Sequence, residues 1–420
     1  MARPESLVLG AARVLTESGM LPDAEVVLER GLIAEVRPAC SSVPDRIIAP
    51  GFVDLQVNGI GSVDVASASD SDWTVLDAAL LAQGVTTWCP TVTSAPLGEL
   101  GAALGRIDQA RHRLHGGPRP AIAGAHLEGP FIALPGAHPP GMLQHQVNLP
   151  WLEKVASQLA VLTIAPELPG AMEAIHALSG RGVVVSLGHS ACSAGQAASA
   201  AAAGARMVTH LGNAMGMLHQ RAPGLMGAAL SDDRLAVSLI SDLHHLHPAL
   251  IGLAFRAKGF PGGPGVALVT DSVALEARQA GHIRLEAPAN PEAPAVPEAP
   301  AVPDPDPTGS SRRPLAPACP AIRTPARLAD SAPARLADGT LAGSTVTMDA
   351  SVRLAVRHCG VSLEQALRSA ASVPATLLGL QDRGVIARGR RADLVALDPD
   401  LRVKEVWVGG EQAWPATAGR

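Results

Sequence analysis

The sequence predicts an α/β fold, a TIM-type (β/α)8 barrel joined to a small β-sandwich domain built from both chain ends. Two patterns predict the layout. Eight short apolar runs rich in β-branched and small residues recur through the middle of the chain, separated by helix formers, while both ends carry short runs broken by turn residues. A third pattern marks the working end. AIAGAHLEGP, VVVSLGHS, ARMVTHLGNAM and GVALVTDS carry Glu128, His189, His210 and Asp271 at or just beyond the apolar run, where barrels build their active sites.

Taken in order, residues 6 to 48 read as antiparallel strands (SLVLG, ARVL, AEVVLE, LIAEVRP, RIIAP), and GVIARGRRADLVALDPDLRVKEVWVGGEQ from Gly384 to Gln412 resumes that texture. Chain ends commonly lie close in space, so residues 1–48 and 383–420 are expected to form one β-unit around a barrel at 49–382. The barrel strands are expected in IIAPGFVDLQV, GVTTWCPTV, PAIAGAHLEG, LAVLTIAPE, GVVVSLGHS, ARMVTHL, LAVSLISDL and GVALVTD. Segments such as SDWTVLDAALLAQ, GAMEAIHALSGR and SAGQAASAAAAGA supply the intervening helices. Residues 287–334 break the pattern, being rich in Pro and Ala with the near-repeat PEAPAVP, and read as an extended loop without a core. That stretch ends in a duplication: PARLAD at 325–330 recurs at 333–338, and only the second copy runs on into GTLAGSTVTMD.

Composition excludes several functions. A net charge of -5 gives no electrostatic case for nucleic acid, and 2% aromatics with no Tyr leaves nothing for base-stacking platforms or a multi-aromatic sugar cleft. Five scattered cysteines without a C-x-x-C pair read as free thiols of a reducing compartment. The N-terminus lacks the pattern of a secretory signal and no run of about 18 apolar residues occurs, so a soluble cytoplasmic protein is expected.

The strand-end residues point to metal-dependent hydrolysis. A hydrolytic Zn2+ takes three protein ligands from His and carboxylate and keeps one position open, and Glu128, His189 and His210 supply such a set from three strands. Asp271 is then placed to take the water's proton and return it to an amine leaving group. Singly, each residue has a plainer reading as a helix cap or a satisfied core group; four at equivalent strand ends weigh against it.

HLEGPFI, GAH, TIAPE, VSLGHSA, VTHLGNAM, RAPGLMGAAL, LVTDS and LAGSTVTMD resemble, in order and spacing, the motifs of the N-acetylglucosamine-6-phosphate deacetylase family of the amidohydrolase superfamily. PGFVDLQVNG and GVIARGRRADLVALD extend the resemblance over nearly the whole chain. It implies hydrolysis of N-acetyl-D-glucosamine 6-phosphate to glucosamine 6-phosphate and acetate. One divalent ion is implied, Zn2+ foremost with Fe2+ or another divalent ion as the alternative, on Glu128, His189 and His210. Asp271 matches the catalytic acid/base, and His138 of GAH the group that polarises the scissile carbonyl, with Ala137 beside it. Asn213, Ala214, His245, Leu341, Ala342 and Gly343 match sugar and phosphate contacts. Arg221 matches a phosphate-binding arginine that the family contributes across a homodimer interface.

The chain also departs from its relatives. Many amidohydrolases carry His-x-His at the end of the first strand and bind a second metal there; this chain has Gln56-Val57-Asn58, and amides are weak Zn2+ ligands, so these are expected to be vestigial positions and not ligands. Pro135 stands where Lys is common, RAPG where REPG is frequent, and Leu243 where a Gly usually follows the Asp. Two alternatives remain at this level: a related enzyme for another N-acyl amino sugar, such as the galactosamine isomer, and a sugar-phosphate-binding homologue with impaired catalysis.

Overall fold

A computed structural model of the chain describes residues 6–113, 117–259, 265–274, 283–285 and 333–415. Eight parallel strands follow one another around the barrel: β1 (Phe52–Val57), β2 (Val85–Thr93), β3 (Ala125–Glu128), β4 (Leu159–Ile164), β5 (Val184–Leu187), β6 (Met207–Val208), β7 (Ala236–Leu239) and β8 (Val266–Leu268). Each coincides with one of the eight runs expected from sequence, β2 running one residue past its run to Thr93. All but one residue of β2 and one of β4 are buried, because helices cover the outside of the barrel and side chains fill its inside. The barrel closes beyond the formal strands, where Asn58 N–H donates to Ser272 O (2.8 Å) and Asp271 N–H to Gln56 O (3.0 Å).

Alternation along the strands sorts the interior into layers. On β4, Leu162 and Ile164 join the large core shared with the helices, while Val161 and Thr163 point the other way. The same alternation puts Val161, Val184, Met207, Ala236 and Ala267 in one apolar cluster. Two residues further along, the inward positions turn polar: His126, Thr163, Ser186, Thr209 and Ser238 are all buried. Above them stands the mouth.

The helices follow local sequence signals. Ser193 accepts from Gln196 N while the Gln196 side chain accepts from Ser193 N, a capping box that starts Ala194–Ala203, and Gly204 ends it at φ 125. Among the described residues no helix is long and apolar enough to cross a membrane.

Both chain ends meet in a second sheet, as expected. Its seven strands run in spatial order Glu411–Trp414, Val403–Val408, Leu394–Leu397, Ile47–Pro50, Leu7–Thr16, Gly19–Glu29 and Leu32–Pro38. Ile47–Pro50 is the joint, antiparallel to Leu394–Leu397 and parallel to Leu7–Thr16. Ile48, Leu394 and Ala396 face the sheet's own core, whereas Ile47, Ala49, Val395 and Leu397 pack into the core of the barrel. Cys40, Cys89, Cys192 and Cys359 are unpaired thiols.

The loop expected at 287–334 lies outside the described residues as far as 332. Its last two residues instead open a strand, Pro333–Leu336, which pairs with Leu341–Ser344 in a hairpin that precedes helix Met348–His358. The second PARLAD copy thus forms this hairpin, and the first lies outside the described residues.

Candidate active site

Left-handed backbone marks the strand ends. His189 (φ 49), His210 (φ 30) and Asp271 (φ 47) are non-glycine residues in a conformation that costs about 1–3 kcal/mol each and persists only where the surroundings enforce it. Glu128 ends β3 directly, and Gly129 (φ 80) follows because a Cβ there would lie 2.4 Å from Ser94 Oγ.

These turns bring Glu128, His189 and His210 together. Glu128 Oε1 lies 2.9 Å from His210 Nε2 and 3.3 Å from His189 Nε2, and the two nitrogens are 3.1 Å apart. His189 Nδ1–H donates to Leu134 O (2.9 Å), so the Nε2 facing its neighbours offers a lone pair. Ligand atoms bound tetrahedrally at about 2.0–2.1 Å from Zn2+ stand about 3.3 Å apart, so one carboxylate oxygen and two imidazole nitrogens at these separations fit a single divalent ion. Burial pushes the Glu128 carboxyl up, but His138, His189 and His210 outweigh it and hold the group well below the usual carboxylate range.

His138 stands on the other side of Glu128, its Nε2 3.6 Å from Oε2. Ser94 fixes its tautomer: the Ser94 backbone N–H (3.2 Å) and hydroxyl (2.8 Å) both meet Nδ1, leaving the proton on Nε2. Burial lowers the His138 pKa, which favours that neutral, donating form. Ser94 is absent from the sequence reading; its position one residue past β2 is the only hint.

Asp271 Oδ1 accepts from Gln56 Nε2 (3.0 Å) and Asn58 Nδ2 (2.7 Å), and Gln56 Nε2 also donates to Glu128 Oε1 (3.0 Å). Both amides therefore turn NH2 groups, which lack a lone pair for a cation, toward the carboxylates. Burial and the nearby charge of Glu128 push the Asp271 pKa up to about 6, within range of a group that exchanges protons near neutrality.

Beneath these groups the polar layer forms one chain of hydrogen bonds. His126 Nδ1–H donates to Leu55 O (2.9 Å), so its Nε2 accepts from Thr163 Oγ1 (2.8 Å); Thr163 then accepts from Thr209 (2.7 Å), and Thr209 from Ser186 (2.5 Å). The chain links β1, β3, β4 and β5 with the segment after β6, and His126, Ser186 and Thr209 stand one to three residues before Glu128, His189 and His210. Burial holds His126 down at about 4, so the ring stays neutral as this pattern requires.

A cavity of about 310 Å3 opens above the triad; its lining includes the sequence candidates Glu128, Ala137, His138, His189, His210, Asn213, Ala214, His245, Asp271, Leu341, Ala342 and Gly343, together with Thr93, Gly136, Ile240, Val273, Arg335 and Thr340, which the sequence did not single out. Asn58 also reaches this wall, and Gln56 lies buried behind it. Arg221 does not line the cavity: it sits on an exposed loop beside Met217 (91% exposed) and Leu218 (48%).

His245 is held by a residue that sequence reading passed over. Asp242 Oδ2 accepts from His245 Nδ1 (2.7 Å) and Ser344 Oγ (2.8 Å), while its Oδ1 accepts from the backbone N–H groups of His244 and His245 (2.9 Å each). Burial raises the Asp242 pKa, but these donors, His245 foremost, bring it down to about 2. The turn that permits them places Leu243 at φ 65, the conformation for which a Gly would be the easier residue. Of the neighbouring histidines, His247 caps helix Pro248–Lys258 by accepting from Ala249 N (3.2 Å), and His244 is exposed.

Comparison with known proteins agrees with this geometry. Residues 330–413 match the model of the amidohydrolase family. The chain is 33% identical over 416 residues to the N-acetylgalactosamine-6-phosphate deacetylase of Escherichia coli O157:H7, covering 97% of this chain and 99% of the relative. It is 33% identical over 419 residues to the bovine (Bos taurus) N-acetylglucosamine-6-phosphate deacetylase, covering 96% and 91%. Its fold superposes on the D267A mutant of the Mycobacterium smegmatis N-acetyl-D-glucosamine-6-phosphate deacetylase, solved in complex with N-acetyl-D-glucosamine-6-phosphate, with a TM-score of 0.78 at 29% identity over 97% of this chain and 99% of that one. With relatives at this identity over almost its full length and a candidate metal-binding triad at the mouth of its barrel, the chain is a hydrolytic enzyme and belongs to the N-acetylglucosamine-6-phosphate deacetylase family of the amidohydrolases.

Proposed function

We propose that the chain hydrolyses the acetamide of N-acetyl-D-glucosamine 6-phosphate, releasing acetate and D-glucosamine 6-phosphate. The observation that carries this reading is the convergence of Glu128, His189 and His210 beside a buried Asp271 at the floor of one cavity. A divalent ion on that triad, Zn2+ or Fe2+, supplies Lewis acidity and brings the pKa of water toward about 7. The amides of Gln56 and Asn58 donate to carboxylates, which supports a single ion and no ligand role for either.

Asp271 takes one proton from the attacking water and hands it to the leaving nitrogen as the C–N bond breaks; the hydroxyl stays on the acetyl carbon, and its remaining proton passes to the amine, so the products balance as acetate and the ammonium form of the amino sugar. His138, its proton fixed on Nε2 by Ser94, donates to the carbonyl oxygen as negative charge develops there, an interaction strongest in the transition state. Ala137, Asn213, Ala214, His245 and the Leu341–Gly343 segment form the walls that hold the sugar. Arg221 serves, in this reading, the neighbouring site of a homodimer, which its exposed loop outside its own cavity supports. We place the enzyme in the cytoplasm, where its unpaired thiols stay reduced.

The test is acetate release by purified protein, with metal content measured on the same sample. Turnover with about one equivalent of divalent metal per chain is expected; a correctly folded protein that binds metal without releasing acetate would overturn the reading. Because one relative acts by name on the galactosamine isomer, kcat/KM on both epimers decides the sugar.

A further inference from the structure

We propose that Arg335 binds the phosphate of the substrate from within the same chain, making it a specificity residue of the site. The proposal rests on the reading above that the substrate is a sugar 6-phosphate. Its starting point is the lining of the cavity itself, which Arg221 of the same chain does not join. Among the described residues that line the cavity, Arg335 is the one Lys or Arg. A phosphate dianion calls for a cation near its own end of the sugar, and a guanidinium meets phosphate through a planar fork of N–H donors.

The position of Arg335 is built. It lies on Pro333–Leu336 directly opposite Leu341, so it borders the Leu341–Gly343 wall of the cavity. Its Nη1 donates to Gly339 O (2.9 Å) across the hairpin turn, which orients the guanidinium. The hairpin is in turn fixed to the reacting groups. Ser344 N–H donates to Asp271 O (3.0 Å), Val273 N–H to Ser344 O (3.3 Å), and Ala334 and Ala342 pack on Val273. Ser344 Oγ reaches Asp242, the partner of His245. One rigid hairpin therefore sets Arg335 relative to both Asp271 and His245. The duplicated PARLAD acquires a meaning here, since the copy that runs on into the cavity wall is the one that delivers its arginine there.

The experiment measures steady-state kinetics of the full chain, wild type, Arg335→Ala and Arg335→Lys, on N-acetylglucosamine 6-phosphate and on N-acetylglucosamine. Arg335→Ala is expected to lower kcat/KM for the phosphorylated sugar about 10- to 100-fold, mainly through KM, and that for the phosphate-free sugar by no more than about twofold. Arg335→Lys should recover part of the loss, and Arg327→Ala, at the matching position of the first copy, should change neither. Equal losses on both sugars would reduce Arg335 to a structural part of the hairpin, and no loss on either would also overturn the proposal. A separate readout is the thermal shift given by inorganic phosphate, expected for wild type and lost in Arg335→Ala. If wild type shows no preference for the phosphorylated sugar yet keeps this Arg335-dependent shift, the substrate reading fails and the anion site stands; a shift that survives in Arg335→Ala overturns the site.

Discussion

Asp271→Asn separates catalysis from architecture. The two donors to Asp271, Gln56 and Asn58, both meet Oδ1, and an asparagine oxygen in that place accepts both bonds, so the triad beside it stays undisturbed. What disappears is a group able to carry a proton. General acid–base catalysis contributes about 10^2- to 10^4-fold, so kcat should fall by that factor, about 3–5 kcal/mol of barrier, while metal content stays at the wild-type level. Stability should move the other way in protein stripped of metal. The rise of the Asp271 pKa from 3.8 to about 6 corresponds to about 3 kcal/mol, a cost the folded state carries when it must hold the carboxylate ionised above pH 6. Between those two values the folded chain binds the extra proton, so stability falls as pH rises through the interval, and below about 3.8 the cost vanishes. Asp271→Asn should therefore gain up to about 3 kcal/mol at pH 8 and nothing near pH 3.5, read from urea midpoints with chelator present. Near-normal kcat with intact metal would remove Asp271 from proton transfer, and a gain independent of pH would refute the electrostatic account.

Other perturbations probe the supporting residues. Ser94→Ala leaves only a backbone donor on His138 Nδ1, and kcat should fall about tenfold with KM little changed in an acetate-release assay. Thr163→Val breaks the hydroxyl chain at its centre; a loss of about 1–3 kcal/mol in urea unfolding and a 10- to 100-fold weaker metal affinity by competitive chelation are expected. Asp242 is held at about 2 against an ordinary 3.8, so it contributes about 2 kcal/mol that is complete above pH 3.8 and lost as pH falls toward 2. The stability gap between wild type and Asp242→Asn should shrink over that interval, and a constant gap would assign the contribution to uncharged hydrogen bonds. Arg221→Ala should raise KM for the phosphorylated sugar, and mixing it with a metal-site variant such as His189→Ala should restore part of the activity if Arg221 serves the neighbouring subunit.

Much of the architecture was legible because barrel strands announce themselves twice, by composition and by what they end on. Glu128, His189, His210 and Asp271 could be read as one group since each occupies the same place in a repeating unit. Ser94, His126, Thr163 and Asp242 could not, because their roles depend on which strands are neighbours. Thr163 looks like an ordinary β-former in LAVLTI until β3 and β5 are set on either side of it. Arg335 sits in a segment whose two copies are identical over six residues; the run into GTLAGSTVTMD singles out the second in sequence, but its place on the cavity wall appears only in the fold. The left-handed backbone of Leu243 is equally silent in sequence, since a leucine gives no sign of a position that suits glycine.

The closure of the barrel has a consequence for how this chain can change. Asp271 is tied to Gln56 on one side and to Ser344 on the other, and Ile283–Leu285 pairs with Pro333–Leu336, so the chain is moored on both sides of residues 286–332. Closing a longer loop between fixed ends adds only about 0.6 kcal/mol per doubling of its length. Residues added or removed between 286 and 332 are therefore expected to leave Asp271 in place, which makes that stretch of sequence a natural point for grafting peptides or whole domains.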